Sequence, residues 1–181
     1  MHATLQRLFG YKAWADDELL TALATLGDES PVTRLAIRAF SHSHVVDRIF
    51  LSHLRGKEPP FRSTNLIELP TLARLSADIR ASDQDYLDYL LELQPDRLRE
   101  DIDFLFTDGA PGCMSREEIL LHVITHGVGH RGQISAVMLL HSVPPARDGF
   151  TTYLHMAEAG TRRTVARAAG MNAAPLASPD D

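Results

Sequence analysis

Four long stretches of the chain repeat apolar residues at intervals of three and four, the mark of an amphipathic helix, and one short stretch repeats them at two. Over residues 2–26, Leu5, Leu8, Ala15, Leu19, Ala22 and Leu26 form a stripe that Lys12 interrupts, and Gly27 supplies a stop. Tyr11 and Trp14 read as core packing. Ser30-Pro31 opens a second helix, serine as cap and proline at the first position, running to about Arg55. Its inner stripe reads Leu35, Ala39, His42, Val46, Ile49 and His53. A loop with Pro59-Pro60 and Pro70 covers residues 57–70. A third helix spans about Thr71 to Leu93, with Leu72, Leu75, Ile79, Asp83, Tyr86, Leu90 and Leu93 on one side, and its acidic residues read as a solvated face.

The period then changes. Asp101-Ile102-Asp103-Phe104-Leu105-Phe106 alternates at two, and Asp108-Gly109 and Pro111-Gly112 carry turn chemistry, so a β-hairpin is expected, with Cys113 and Met114 in the returning strand. Cys113 reads as a packed structural thiol. Ser115-Arg116-Glu117-Glu118 matches a capping box and starts a fourth helix reaching about His141. A fifth helix is expected from about Thr151 to Ala168. The fold class that follows is all-α: a four-helix up-down bundle with a short hairpin before the fourth helix and an additional C-terminal helix. Residues 1–168 read as one domain and residues 169–181, rich in Ala, Pro, Ser and Asp, as a disordered tail.

Composition narrows the function. The 181 residues have a formal charge of −6, which argues against bulk nucleic-acid binding. No run approaches ~18 apolar residues, so no membrane span is expected. The N-terminus lacks the apolar core of a secretory signal, and the compartment reads as cytoplasmic. A single cysteine leaves a histidine-based metal site more plausible than a cysteine-based one, and nine histidines are available to build it.

Three of them, His122, His126 and His130, recur at every fourth residue of the fourth helix and share one stripe. Imidazoles one turn apart can bind the same ion, so His126 and His130 form a candidate metal clamp. His122 and His130 are two turns apart, roughly 11 Å along the axis, so a third ligand must come from another helix. His42 sits on the inner stripe of helix two, while His44 points roughly 200° away. On its own, a histidine on an apolar stripe is more often a hydrogen-bonded core residue than a ligand. Position 127 is glycine, so the glutamate of a zincin protease motif is missing. Gly127, Gly129 and Gly132 weaken the helix and suggest close approach by a neighbour or a ligand.

Three further stretches carry a resemblance. Tyr11-Lys12-Ala13-Trp14-Ala15, the run from Ser41-His42 to Val45-Val46-Asp47-Arg48-Ile49-Phe50, and His122 to His130-Arg131-Gly132-Gln133 resemble the signatures of the DinB/YfiT-like metalloenzyme superfamily. Pro144-Pro145 and Asp148 also fit its pattern. The resemblance implies a four-helix bundle, often a homodimer, with a divalent metal ion on His42, His126 and His130. Zinc or nickel suits that donor set first, and iron after them. It implies a metalloenzyme without naming the reaction. A transferase that joins a low-molecular-weight thiol to a small electrophilic substrate leads. A metal-dependent hydrolase and a non-catalytic stress-related metal-binding protein are the alternatives. His122 reads as support for the site, and Arg131 as either a surface residue or an anion-binding group and candidate catalytic residue.

Overall fold

The structure is a computed structural model that describes residues 1–162. It is mostly helical, with one two-stranded antiparallel sheet. Helices α1 (His2–Ala24), α2 (Pro31–Leu54), α3 (Leu72–Glu92) and α4 (Arg116–Leu140) are the long elements. A 3₁₀ turn over Pro95–Arg99 leads into strands β1 (Asp101–Leu105) and β2 (Pro111–Ser115), and α5 is Phe150–Ala157. The chain divides into two compact units at Asp148/Gly149, with α5 in the second. The end of the expected fifth helix, past residue 162, and the expected tail lie outside the described residues.

Local chemistry accounts for the starts. Ser115 Oγ accepts from the Glu118 N–H, and the Glu118 carboxylate accepts from the Ser115 N–H, which completes the capping box. Thr71 caps α3 by accepting from the Arg74 N–H. In the hairpin, Asp103 faces Cys113 and Phe104 faces Gly112, and the tight turn uses Gly109 at φ +86°.

The helices pack α2 on α4 and α3, and α1 on α3 and α4. Two apolar clusters fill the interior. One gathers Leu5 and Phe9, Phe50 and Leu54, Tyr86 and Leu90, and Ile119 and Val123. The other gathers Leu19 and Leu23, Val32 and Ile37, Leu72 and Leu75, and Ile134 and Met138. The pairing fixes directions: α2 and α3 both run from the second cluster to the first, while α1 and α4 run the other way. The expected up-down alternation therefore fails between α2 and α3. The connection from Arg55 to Thr71, extended at about 3.3 Å per residue, is long enough to return along a helix of roughly 36 Å. Its course past the middle of α2 matters for the site.

Three burial expectations need correcting. Leu35 is 49 % exposed, because α2 buries a broad face against two neighbours, centred on Ala36, Ile37 and Phe40 rather than on the narrow stripe. Cys113 is exposed on the hairpin beside Asp103 instead of packed inside. The acidic face of α3 is solvated only in part, since Asp83 is buried. Between the two apolar clusters lies a polar middle layer, drawn from Lys12 and Asp16, His42 to Asp47, Asp83, and His126 to Arg131.

Candidate metal centre

The middle layer has two parts. In the first, His42 from α2 meets His126 and His130 from α4, and each ring offers one nitrogen within 4.8 Å of the others. The ring centroids lie 5.3 Å (His42–His126), 4.9 Å (His42–His130) and 4.5 Å (His126–His130) apart. Among the described residues this is the group of three or more metal-ligating side chains that converges on one point. His44, on the other side of α2, is outside it and lies edge-on to Phe61. His122 is outside it too: its ring stacks on His126 at 5.4 Å and packs on Phe50 at 4.9 Å.

The hydrogen bonds orient the lone pairs. His42 Nδ1 donates to the Thr64 carbonyl at 2.9 Å, and His130 Nδ1 donates to Gln133 Oε1 at 2.9 Å. A carbonyl oxygen only accepts, so both rings carry their proton on Nδ1 and turn the Nε2 lone pair toward the cluster. His126 Nε2 lies 3.1 Å from His130 Nε2, and His126 Nδ1 is buried with no hydrogen-bond partner. Burial first, and the neighbouring histidines after it, push His126 down to about 4 and His130 down from the usual range. Neutral imidazoles with aligned lone pairs are the form a metal ion binds. The donor set and the two fixed tautomers fit a divalent ion, which would meet His126 through the Nε2 that faces His130 rather than through the unpartnered Nδ1. Thr64 and Gln133 were not foreseen. Gln133 closes the turn after His130 and could have been found at i+3, but a loop carbonyl leaves no mark on side-chain periodicity.

The second part is a buried ion network that sequence reasoning missed. Lys12 Nζ lies 2.9 Å from Asp16, 2.9 Å from Asp47 and 2.6 Å from Asp83, so one ammonium joins α1, α2 and α3. Arg131 is 1 % exposed and bridges Asp16 at 3.0 Å and Asp148 at 2.9 Å, and Tyr11 donates to the same Asp148. Arg131 is therefore neither a surface residue nor a free anion-binding group: its guanidinium is taken up by two carboxylates. Burial alone would lower the Lys12 pKa, but the three aspartates hold it well above the ordinary range. Burial pushes Asp47 up to about 6 and Asp83 up to about 7, against the pull of Lys12. The signal was present, since Lys12 and Asp83 are opposite charges on the inner stripes of two helices.

Of the three glycines, Gly127 alone faces this layer: a Cβ there would lie 3.5 Å from the Arg131 guanidinium and 3.6 Å from Lys12. Gly129 and Gly132 face open space, so close approach does not explain them. A surface cavity of about 690 Å³ lies at the C-terminal ends of α2 and α3 and includes none of the three clustered histidines. Its Arg97 and Arg116 are paired with Glu100, so we give it no part in the chemistry.

A three-histidine cluster of this kind acquires a context from known proteins. The model of the DinB family matches residues 1–164. The chain belongs to the DinB family. It is 26% identical over 161 residues to Protein DinB of Bacillus subtilis (strain 168), an alignment covering 83% of this chain and 93% of that relative. Within this DinB family chain, no described helix is long and apolar enough to cross a membrane.

Proposed function

We propose that His42, His126 and His130 hold one divalent metal ion, zinc or nickel before iron, in the middle of a four-helix bundle. On this reading the chain is a metal-dependent enzyme that transfers a low-molecular-weight thiol to a small electrophile. The convergence of three imidazoles with no acidic or thiolate side chain among them carries the proposal. Three protein ligands leave a coordination position open, as in catalytic rather than structural sites. A divalent ion there lowers the pKa of a thiol brought beside it. The protein holds the rings: Thr64 and Gln133 fix two tautomers, and the ion network beneath keeps α4 in register with α1.

The single-domain reading over residues 1–168 rests on the family match, which covers the first compact unit and runs into the second as far as residue 164. Cytoplasmic placement and homodimerisation belong to the same proposal, and sedimentation at the mass of one chain would overturn the dimer.

The deciding experiment loads the purified protein with zinc or nickel and offers bacillithiol, mycothiol and glutathione with a panel of alkylating electrophiles. Metal-dependent loss of free thiol that disappears in His42→Ala supports the transferase. One ion per chain with no turnover of any thiol would overturn it. Cleavage of ester or amide substrates by the loaded protein would favour a hydrolase instead.

A further inference from the structure

One turn past His42 on α2 the structure holds a pocket that none of the three clustered histidines lines. It lies between α2, the returning connection and the hairpin. Val46, Ile49, Phe50, Phe104 and Phe106 form its walls, and Thr64, whose carbonyl holds His42, stands at its edge. Its volume is about 40 Å³, and it is partly open to solvent. Past Ile49, Leu105, Phe106 and Thr107 the same walls continue into an open groove of about 210 Å³.

Two features mark the pocket as built. The first is its aromatic wall. Phe104 and Phe106 sit two residues apart on one face of the hairpin and meet edge to face at 5.0 Å. Both rings lie over Gly112: a Cβ there would come within 2.7 Å of Phe104 and 2.9 Å of Phe106. Any larger residue at 112 must push one ring or both, so this glycine sets where the wall stands.

The second feature is electrical. No charged side chain lines this inner part. His53 stacks on Phe104 at 4.8 Å, and its burial lowers its pKa, which keeps it neutral. At the groove's outer lip, Arg62 and Glu58 are paired to each other at 3.0 Å. Ring contacts then lead inward: Phe50, in the pocket wall, packs on His122, which stacks on His126.

We propose that this pocket is the subsite for the apolar part of the substrate, and that the substrate is an uncharged organic molecule carrying a small hydrophobic group. An ionised group would lose its hydration here and find no partner. The space is too narrow for a helix or a strand, so the occupant is a small molecule. As a substrate subsite the pocket rests on the metal-centre reading above, and the test separates the two.

Metal-free protein labelled at Val and Ile methyls is titrated with 1-butanol, butyrate and butylamine and followed by NMR. The alcohol should shift the methyls of Val46 and Ile49, with both charged homologues at least about tenfold weaker. Gly112→Val should weaken butanol by about tenfold. Phe106→Ala, at a 45 % exposed position where folding is not at stake, should weaken it as well. Equal affinity for the charged homologues, shifts centred on other methyls, or unchanged binding in Phe106→Ala would overturn the pocket. Loading Co²⁺ then tests the connection: the ion's paramagnetism should broaden the bound butanol signals. Sharp signals with Co²⁺ bound would overturn the substrate role. Protein that takes up no Co²⁺ yet binds butanol here would overturn the metal reading and leave the apolar site standing.

Discussion

The middle layer places two polar clusters side by side in the same helices, and they differ in what they lack. Around Lys12 and Arg131, buried charges face partners on several elements. Around His126, three ring nitrogens converge and His126 Nδ1 is buried with no hydrogen-bond partner. Buried charges carry a cost unless opposite charges meet them, and the first cluster supplies those from within the chain even though Asp47 Oδ1 has no hydrogen-bond partner, whereas the second gathers three imidazoles and no cation. The contrast separates a framework from a binding site without reference to sequence relatives.

Breaking each side should give opposite signatures. Lys12→Met removes the cation that three buried carboxylates share, and should lower unfolding free energy by about 3–5 kcal/mol in urea melts. His126→Ala in metal-free protein should cost only about 1 kcal/mol or less, since the ring has little holding it. A loss from Lys12→Met no greater than that of His126→Ala would erase the distinction. Adding metal should then raise the stability of the native chain by about 2.7 kcal/mol at a hundredfold excess over Kd, and do nothing for His126→Ala. Thermal melts with and without zinc read this directly.

The support around the histidines can be tested more gently. Gln133→Ala frees the His130 ring and should weaken metal binding by roughly 10–100-fold in chelator competition, with unfolding free energy unchanged. Equal affinity would show that the Gln133 contact is incidental.

The ion network, in contrast, should respond to pH. Asp47 and Asp83 have folded pKa values raised to about 6 and about 7 from 3.8. The folded state thus keeps protons that the unfolded chain releases earlier. Their contribution to stability is full below about pH 4 and is lost as pH rises through about 6 and about 7. Lys12 and Arg131 lie near them and, both held above their ordinary range, keep their charge over that range. Asp83→Asn should flatten this part of the Tm–pH curve by on the order of 1 kcal/mol. A wild-type curve that rises across the window would contradict the assignment. Smallest of all, Gly129→Ala should stabilise α4 by about 0.5–1 kcal/mol, because a methyl there meets only open space.

Much of the candidate site was legible because helical periodicity is a local property. It set His126 above His130 and separated His42 from His44, and the structure gathers the first three and leaves His44 aside. The capping box at Ser115 and the hairpin were legible for the same reason. What periodicity could not carry is relative direction and partnership between elements. The connection after α2 is long enough for either course, so the parallel run of α2 and α3 and the arrival of Thr64 at His42 had no local mark. Lys12 read as a break in one inner stripe and Asp83 as a member of another, and their pairing had no local mark until three helices brought them together. Arg131 was misjudged for that reason: its partners lie 115 and 17 residues away in sequence.

The central claim is that one ion sits on three named rings. Zinc titration against a chromophoric chelator, run on the native chain and on His42→Ala, His126→Ala, His130→Ala and His44→Ala, tests it most directly. The account predicts one ion per chain for the native protein and for His44→Ala, and none held stoichiometrically by the other three. Full zinc retention in His126→Ala, or its loss in His44→Ala, would contradict it.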